Sequence, residues 1–233
     1  MKINNIATAF CLLVFLLLGC SSQENKEEVN KTKSPSVEED KKASSEGKLV
    51  TTLTEMPNDL VLLGNQYITG RQWEDKNGVT LVYFTFKEEV GRYDEGMEQS
   101  TLTRSLFAEH FVLRNGNTEL IREVKDFEKD CAFDNQLYLE TESISLTDLD
   151  ADGFKEVSFV YTLGCRSDVS PDPMKLIMLE NNDKYAIRGN TRFKNAPEDG
   201  KPEDAKNFDK SFETAPATFK EFASKLWDTH QMK

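Results

Sequence analysis

The sequence has no surplus of positive charge and very little histidine. Its 29 lysines and arginines face 41 aspartates and glutamates, which gives a net charge of −12 at pH 7. Proteins that bind nucleic acids neutralise phosphates with Lys and Arg, so this charge argues against a DNA or RNA partner. His110 and His230 are the only histidines, and neither has a second ligand at zinc-like spacing. We therefore expect neither nucleic-acid binding nor zinc binding.

Catalytic motifs are equally scarce. His110 lies inside a predicted strand and His230 lies close to the last residue, so a Ser-His-Asp triad is not favoured. With 41 acidic residues, a pair of carboxylates suited to glycoside hydrolysis is always available, and such a pair therefore predicts nothing. The question of an enzyme stays open, and the scarcity of motifs favours a protein without catalysis.

Long hydrophobic runs are missing except at the N-terminus. Lys2 is followed by a predominantly apolar run over residues 6–18, which is typical of a secretion signal and too short to span a bilayer as a helix. The run ends in Leu-Leu-Gly followed by Cys20. This ending resembles the lipobox of bacterial lipoproteins, which implies removal of residues 1–19 and lipidation of Cys20.

The residues after Cys20 predict an anchored protein with a long tether. Ser21 is compatible with outer-membrane delivery under the enterobacterial sorting rule, and residues 26–28 resemble the lysine-acid signals that expose some lipoproteins on the cell surface. Residues 20–48 are Ser, Lys and Glu with almost no large apolar side chain, so we expect a disordered tether. The expected location is the bacterial outer membrane, and the periplasmic and surface leaflets both stay open.

Cysteine is scarce as well. Cys11 leaves with the signal peptide and Cys20 carries lipid, so Cys131 and Cys165 are the only pair left in an oxidising compartment. We predict a disulfide between them. Two free thiols or a redox dithiol are the alternatives, and no Cys-x-x-Cys motif supports the dithiol.

Residues 49–233 have the length and composition of one domain, and their apolar residues alternate in hairpins. Asn115-Gly116 is the strongest hairpin signal in the chain. After residue 216 the apolar period changes to three and four, which predicts a helix that covers an open face of the sheet. We therefore expect a mainly β fold, an antiparallel sheet or sandwich of about eight strands with a C-terminal helix. The predicted strands are 67–73, 79–90, 103–114, 118–127, 136–147, 155–164, 174–180 and 184–193.

Alternating carboxylates in the third predicted hairpin have the spacing of a calcium loop. Calcium binds six to eight oxygens, and alternate residues of a tight loop direct their side chains at one centre. The loop is not an EF-hand, because position twelve is Phe159 and the flanking residues alternate like strands. It resembles the Asp-rich hairpin loops of integrin-type (FG-GAP) propeller repeats; a solvated acidic turn is the alternative. The predicted ligands are the side chains of Asp148, Asp150, Asp152 and Glu156 and the backbone carbonyl of Phe154.

The two halves of this hairpin differ in phase. Leu137 and Leu139 lie in one phase and Ile144 and Leu146 in the other, which predicts a bulge or irregular segment between them. We hypothesise that the metal fixes one end of the hairpin and the disulfide clamps the other.

The segment after the second cysteine is a candidate binding loop. Arg166 and Asp168 place a guanidinium beside a carboxylate next to the predicted disulfide, and binding residues collect on loops held by a rigid scaffold. The alternative is structural, with Arg166 and Asp168 paired with each other or with Asp130 and Asp134. Such ion pairs are common without function.

Several segments together resemble a family of small bacterial lipoproteins. They are residues 124–127, 130–134, the Asp-rich loop, 165–171, 175–178 and 184–189. Some members are labelled surface polysaccharide biosynthesis proteins, which implies a role in cell-surface glycan and no known catalytic residues. Together with the predicted calcium loop, the resemblance leads us to expect a calcium-stabilised component that binds or assembles surface polysaccharide, with envelope proteins as further candidate partners. A glycan-acting enzyme with a site near Arg166 and a purely structural module are the alternatives.

Overall fold

Antiparallel strands make up most of the fold. The structure is a computed structural model that describes residues 50–57, 60–96, 98–193 and 206–233, all within the compact unit Ser45–Lys233. The strands are β1 (Thr51–Leu53), β2 (Gln66–Asp75), β3 (Gly78–Asp94), β4 (Gln99–Arg114), β5 (Asn117–Cys131), β6 (Asp134–Asn135), β7 (Tyr138–Thr147), β8 (Glu156–Thr162), β9 (Cys165–Arg166), β10 (Pro173–Glu180), β11 (Asp183–Asn190) and β12 (Asn207–Phe208).

The predicted signal peptide, the lipidated Cys20 and the tether lie outside the described residues. Among the described helices, none combines the length and the apolar character that a bilayer span requires.

The strands form two five-stranded sheets and one small ladder. The first sheet has the order β1-β2-β3-β4-β5, the second has the order β12-β11-β10-β8-β7, and β6 pairs with β9. The mainly β, antiparallel class is confirmed, and the eight predicted strands correspond to β2–β5, β7, β8, β10 and β11. The predicted count was too low because the four further strands have only two or three residues, too few to show a period.

The two large sheets pack face to face as a sandwich. The core between them contains Trp73 and Phe84 from the first sheet and Phe159 and Tyr161 from the second. The rings of Phe84 and Phe159 meet edge to face with centroids 4.9 Å apart. Fully burying an aromatic side chain of this size contributes about 2 to 3 kcal/mol, so this core supplies much of the folding free energy.

A helix forms a third layer against the second sheet. The predicted C-terminal helix is confirmed as α1 (Ala217–His230), and it buries Phe219, Ala223 and Trp227 on one face. These side chains pack against Met178 and Tyr185 of the second sheet in a separate core. The short 3-10 helix before α1 adds Phe212 to the same core. The helix thus covers the sheet face that points away from the sandwich core.

Because both of its faces are covered, β8 is buried along its whole length. Val157, Phe159 and Tyr161 point to the sandwich core, and Val160 points to the helix. Glu156 begins this strand, so its carboxylate enters the interior directly behind the predicted calcium loop.

The predicted phase break in the third hairpin is confirmed. The pairing of β7 with β8 shifts register between Glu140 and Ser145, so extra residues of β7 leave the ladder. The hydroxyl of Ser143 fills the gap, since it accepts a hydrogen bond from the Val160 amide at 2.7 Å and donates one to the Glu140 carbonyl at 2.6 Å.

The predicted disulfide joins Cys131 to Cys165, with their Cα atoms 5.4 Å apart. It connects the last residue of β5 in the first sheet to β9, which follows β8. The disulfide therefore lies at the end of the β7–β8 hairpin opposite the Asp-rich loop, as hypothesised, and it ties that end to the first sheet.

Candidate metal centre

The loop between β7 and β8 is folded around its own aspartates. The amides of Asp152, Gly153 and Phe154 donate hydrogen bonds to Asp150, Asp148 and Asp152 at 3.2, 3.4 and 2.8 Å, respectively. Ala151 and Gly153 adopt positive φ angles of 59° and 89°, which bend the chain sharply. These contacts hold one oxygen of each carboxylate in the loop.

Glu156 forms the buried back wall of the loop. Its side chain is fully buried, and its carboxylate accepts a hydrogen bond from the Thr147 hydroxyl at 2.7 Å and from the Leu149 amide at 3.1 Å. Burial raises the pKa of Glu156, while these hydrogen bonds act in the opposite direction. The carboxylate is therefore held in one orientation, as a metal ligand requires.

The structure adds a carboxylate that was not predicted, Glu180 at the end of β10. Two groups of three residues place candidate ligand oxygens within 4.8 Å of one another. One group is Asp148, Asp150 and Glu156, and the other is Asp150, Asp152 and Glu180. Asp150 belongs to both groups, so the loop and the end of β10 form one continuous carboxylate cluster.

The pairing of β8 with β10 explains the position of Glu180. Leu179 lies opposite Val157 in this ladder, so the next residues of the two strands, Glu180 and Glu156, are neighbours on the same face. Glu180 lacks the alternating spacing of the loop, and its only sequence signal is an acid just before the Asn-Asn-Asp turn. Its position beside the loop becomes visible only once the two hairpins are known to pair.

The hydrogen-bonding capacity of the Glu180 carboxylate is only partly used within the described structure. Within the described part of the chain, its enclosed Oε1 has no hydrogen-bond partner. The pKa of Glu180 rises to about 8, first through burial and then through the negative charges of Asp150, Asp152 and Glu156 and a hydrogen bond to Glu156. A cation between these groups would reverse the effect of the neighbouring carboxylates.

The turn between β2 and β3 supports the loop from the side. The Lys76 amide donates a hydrogen bond to the Gly153 carbonyl at 2.9 Å, and the Lys155 amide donates one to Asp75 at 3.3 Å. The Lys76 ammonium lies 5.4 Å from the centroid of the Phe154 ring. Ligation by the Phe154 carbonyl stays a prediction.

Comparison with protein families, curated proteins and solved structures finds no match. The resemblance to a lipoprotein family therefore stays a prediction.

The loop after Cys165 has a different structure from the metal cluster. Arg166 forms an ion pair with Asp172, which is fully buried and also contacts the Lys233 ammonium. Asp168 is exposed and accepts a hydrogen bond from the Ser170 amide at 3.1 Å, and this bond is the main reason that its pKa is lowered. The guanidinium of Arg166 thus points to Asp172 and not to the anticipated partners, Asp168, Asp130 or Asp134.

The donor set of the cluster fits a hard cation. Every side-chain donor is a carboxylate oxygen, which matches the oxygen ligands of calcium and not the nitrogen and sulfur ligands that zinc prefers. Two donors, Asp148 and Asp150, are exposed, so a cation can enter from solvent. The buried Glu156 would supply an inner ligand. The candidate side-chain ligands are Asp148, Asp150, Asp152, Glu156 and Glu180.

Proposed function

We propose that the chain is a lipid-anchored envelope protein whose β-sandwich holds a structural calcium ion and serves as a binding or assembly component for cell-surface polysaccharide. The observation that carries the calcium site is the meeting of Asp150 with the buried Glu156 on one side and with Glu180 on the other. The resemblance of the sequence before Cys20 to a lipobox supports the anchor, and the resemblance to a lipoprotein family supports the polysaccharide role.

Burial favours a metal over a solvated acidic turn. A turn on the surface leaves its carboxylates in water, where like charges a few ångströms apart repel only weakly. Here Glu156 is fully buried, and Glu180 has an enclosed oxygen without a partner in the described structure. Like charges in such an environment cost folding free energy unless a proton or a cation neutralises them.

The position of the cluster supports a structural role for the ion. The loop belongs to the β7–β8 hairpin, Glu180 ends the first strand of the β10–β11 hairpin, and Lys76 holds the loop to the β2–β3 turn. A cation between Asp150 and Glu180 would therefore cross-link neighbouring hairpins of the second sheet. The contact of Arg166 with buried Asp172 gives that arginine a structural role, so we do not assign the glycan-acting alternative to it.

Calcium titration of the full chain in mild detergent, followed by calorimetry, tests the metal site. We expect saturable binding of one calcium ion, with much weaker binding of magnesium because magnesium requires a stricter octahedral geometry. Asp150→Asn removes the carboxylate that both groups share and should abolish binding. Glu142→Gln, an equal charge change at an exposed position of β7, should bind normally. Equal binding by Asp150→Asn and wild type would contradict the site.

The anchor and the glycan role need separate tests. Labelling with a radioactive fatty acid should mark the wild type and leave Cys20→Ser unlabelled. Cells that lack the protein should show altered surface polysaccharide, which wild type restores and Asp150→Asn restores less well. Normal polysaccharide in the deletion strain would contradict the glycan role and would leave the calcium site untouched.

A further inference from the structure

The far end of the first sheet contains a polar cavity of about 600 Å³. It lies where β3, β4 and β5 run side by side, at the end of β3 opposite the turn that supports the Asp-rich loop. A cavity of this volume suits a small ligand or one unit of a polymer. The lining residues are Arg92, Tyr93, Asp94, Thr101, Lys129 and Asp130.

Two neighbouring irregularities shape the cavity. The pairing of β3 with β4 shifts between Val90 and Tyr93, and the pairing of β4 with β5 shifts between Leu102 and Arg104. Bulges bend strands and redirect side chains, and they are frequent beside binding sites. Asp130 adopts a positive φ of 51° at the second shift, which is uncommon for a residue other than glycine.

Gly91 allows the strands to approach each other beside the cavity. A Cβ atom at this position would lie 2.3 Å from the Thr101 hydroxyl and 3.2 Å from an Asp130 carboxylate oxygen. No side chain fits at the first of these distances without a shift of its neighbours. The glycine thus keeps the Thr101 hydroxyl and the Asp130 carboxylate next to the open space.

The cavity offers hydrogen-bond donors and acceptors in equal measure. Arg92 and Lys129 carry donors, and Asp94 and Asp130 carry acceptors, so the charges of the lining sum to zero. One oxygen of Asp94 already accepts a hydrogen bond from the Gly96 amide at 2.9 Å. The Thr101 hydroxyl is enclosed and has no hydrogen-bond partner in the described parts of the chain. The Lys129 ammonium forms an exposed ion pair with Asp130 at 3.8 Å, a separation longer than a hydrogen bond.

An aromatic ring completes the cavity. Tyr93 lines it and leaves 61% of its surface exposed, so its side chain is accessible to a ligand. Its ring offers an apolar face and its hydroxyl a polar tip. The arrangement combines one flat apolar surface with a dense set of mixed hydrogen-bonding groups.

We infer that this cavity binds one sugar unit of a neutral polysaccharide. Each sugar hydroxyl both donates and accepts hydrogen bonds, which matches the mixed lining, and the C–H face of a pyranose ring packs against an aromatic face. The lining has no net charge to attract an anion, and the net charge of −12 on the chain repels acidic polymers. This inference rests on the proposed glycan role and assigns it a site and a ligand class.

Surface polysaccharide extracted from the producing cells, separated by anion exchange into neutral and acidic fractions, is the probe. Binding to the full chain in mild detergent is measured by affinity electrophoresis. We expect the neutral fraction to bind, Tyr93→Ala to weaken this binding at least tenfold, and Thr101→Val to weaken it several-fold. Tyr138→Ala removes a tyrosine of similar exposure, 48%, outside the cavity and should bind as wild type does.

Each other outcome overturns the inference. Neutral polysaccharide that binds Tyr93→Ala as tightly as wild type would leave the glycan role standing and would place the contact elsewhere. Preferential binding of the acidic fraction would contradict the ligand class. If neither fraction binds wild type, both the site and the proposed glycan role fail. Thermal unfolding of each variant confirms that a loss of binding does not reflect a loss of fold.

Discussion

Asp150 and Glu180 bring carboxylate oxygens within 4.8 Å of each other although they belong to different hairpins. Asp150 lies in the exposed loop between β7 and β8, and Glu180 ends β10 beside the buried Glu156. Without a cation, this arrangement concentrates negative charge at one corner of the second sheet. With one, the same carboxylates would hold the two hairpins together.

Glu180→Gln should separate two effects of the Glu180 carboxylate, one on the stability of the metal-free protein and one on the affinity for calcium. The pKa of Glu180 is raised from its ordinary value of 4.5 to about 8. The contribution of Glu180 to the free energy of unfolding is therefore complete below pH 4.5 and is lost as pH rises through about 8. Metal-free wild type should therefore lose stability between pH 5 and pH 8, and Glu180→Gln should lose less. In calcium the variant should bind about tenfold more weakly or worse, because it lacks a charged ligand.

Urea unfolding at pH 5 and pH 8, with chelator and with calcium, measures both effects of Glu180→Gln. Asp183→Asn is the control, since it removes an exposed acid from the same turn without touching the cluster. Identical pH dependence in wild type and Glu180→Gln, combined with unchanged calcium affinity, would show that Glu180 is not part of the site.

His110 should make the protein sensitive to acid. It is 1% exposed, its ring centroid lies 5.4 Å from that of Trp73, and neither ring nitrogen has a hydrogen-bond partner among the described residues. Burial lowers its pKa from 6.5 to about 4, against the opposing charge of Asp75. The contribution of neutral His110 to the free energy of unfolding is therefore complete above pH 6.5. It is lost as pH falls through about 4, at a cost of about 3 kcal/mol.

His110→Phe tests this acid sensitivity. The variant keeps a ring against Trp73 and buries no unpartnered nitrogen, so we expect about 1 kcal/mol more stability at pH 7 and a smaller loss between pH 6.5 and pH 4. Urea unfolding across this range measures the difference from wild type, and the carboxylates affect both proteins alike. His230→Gln, at the end of α1, is the matched histidine control. A pH profile of His110→Phe that parallels wild type would contradict the assignment.

Asp172 should matter far more for stability than Asp168. The Asp172 carboxylate is fully buried between the charges of Arg166 and Lys233, and the Asp172 backbone exchanges two hydrogen bonds with Thr191, each 2.8 Å long. Asp172→Ala leaves both cations without their anion and should cost about 3 to 5 kcal/mol. Asp168→Ala, at an exposed position, should leave stability nearly unchanged. Equal effects in urea unfolding would contradict the buried ion pair.

The disulfide between Cys131 and Cys165 should stabilise the domain substantially. It closes a loop with a sequence separation of 34, for which chain entropy predicts about 3 to 4 kcal/mol, or roughly 10 °C in the unfolding midpoint. The double variant with both cysteines replaced by serine should show this decrease. Reduced wild type should unfold at the same temperature as the variant, and an unchanged midpoint in both would contradict the assignment.

Local patterns predicted most of the fold. The alternation of apolar residues identified the eight long strands, and the period of three and four in α1 identified the helix and its buried face. The change in the phase of apolar residues between Leu139 and Ile144 predicted the irregular segment that β7 contains. These features are visible in sequence because they depend on which side chains face the core within one element.

The rest depended on which hairpins pair with each other. Nothing local indicates that β10 lies beside β8, so the sequence did not place Glu180 next to Glu156. Long-range register determines the contact of Glu180 with Glu156, and alternating patterns do not encode it. The partner of Arg166 was missed for a different reason. Asp172 follows Arg166 by only six residues, and nothing in the sequence indicates that its side chain is buried where the β10–β11 ladder ends at Thr191.

Thermal unfolding of the full chain in calcium and in chelator tests the calcium-stabilised fold most directly. At a calcium concentration one hundred times the dissociation constant, binding to the folded state alone adds about 2.7 kcal/mol, which corresponds to roughly 5 to 10 °C. We predict this shift for wild type and for Glu142→Gln, and none for Asp150→Asn. An identical midpoint for wild type in calcium and in chelator would contradict the account and reduce the Asp-rich loop to an acidic turn.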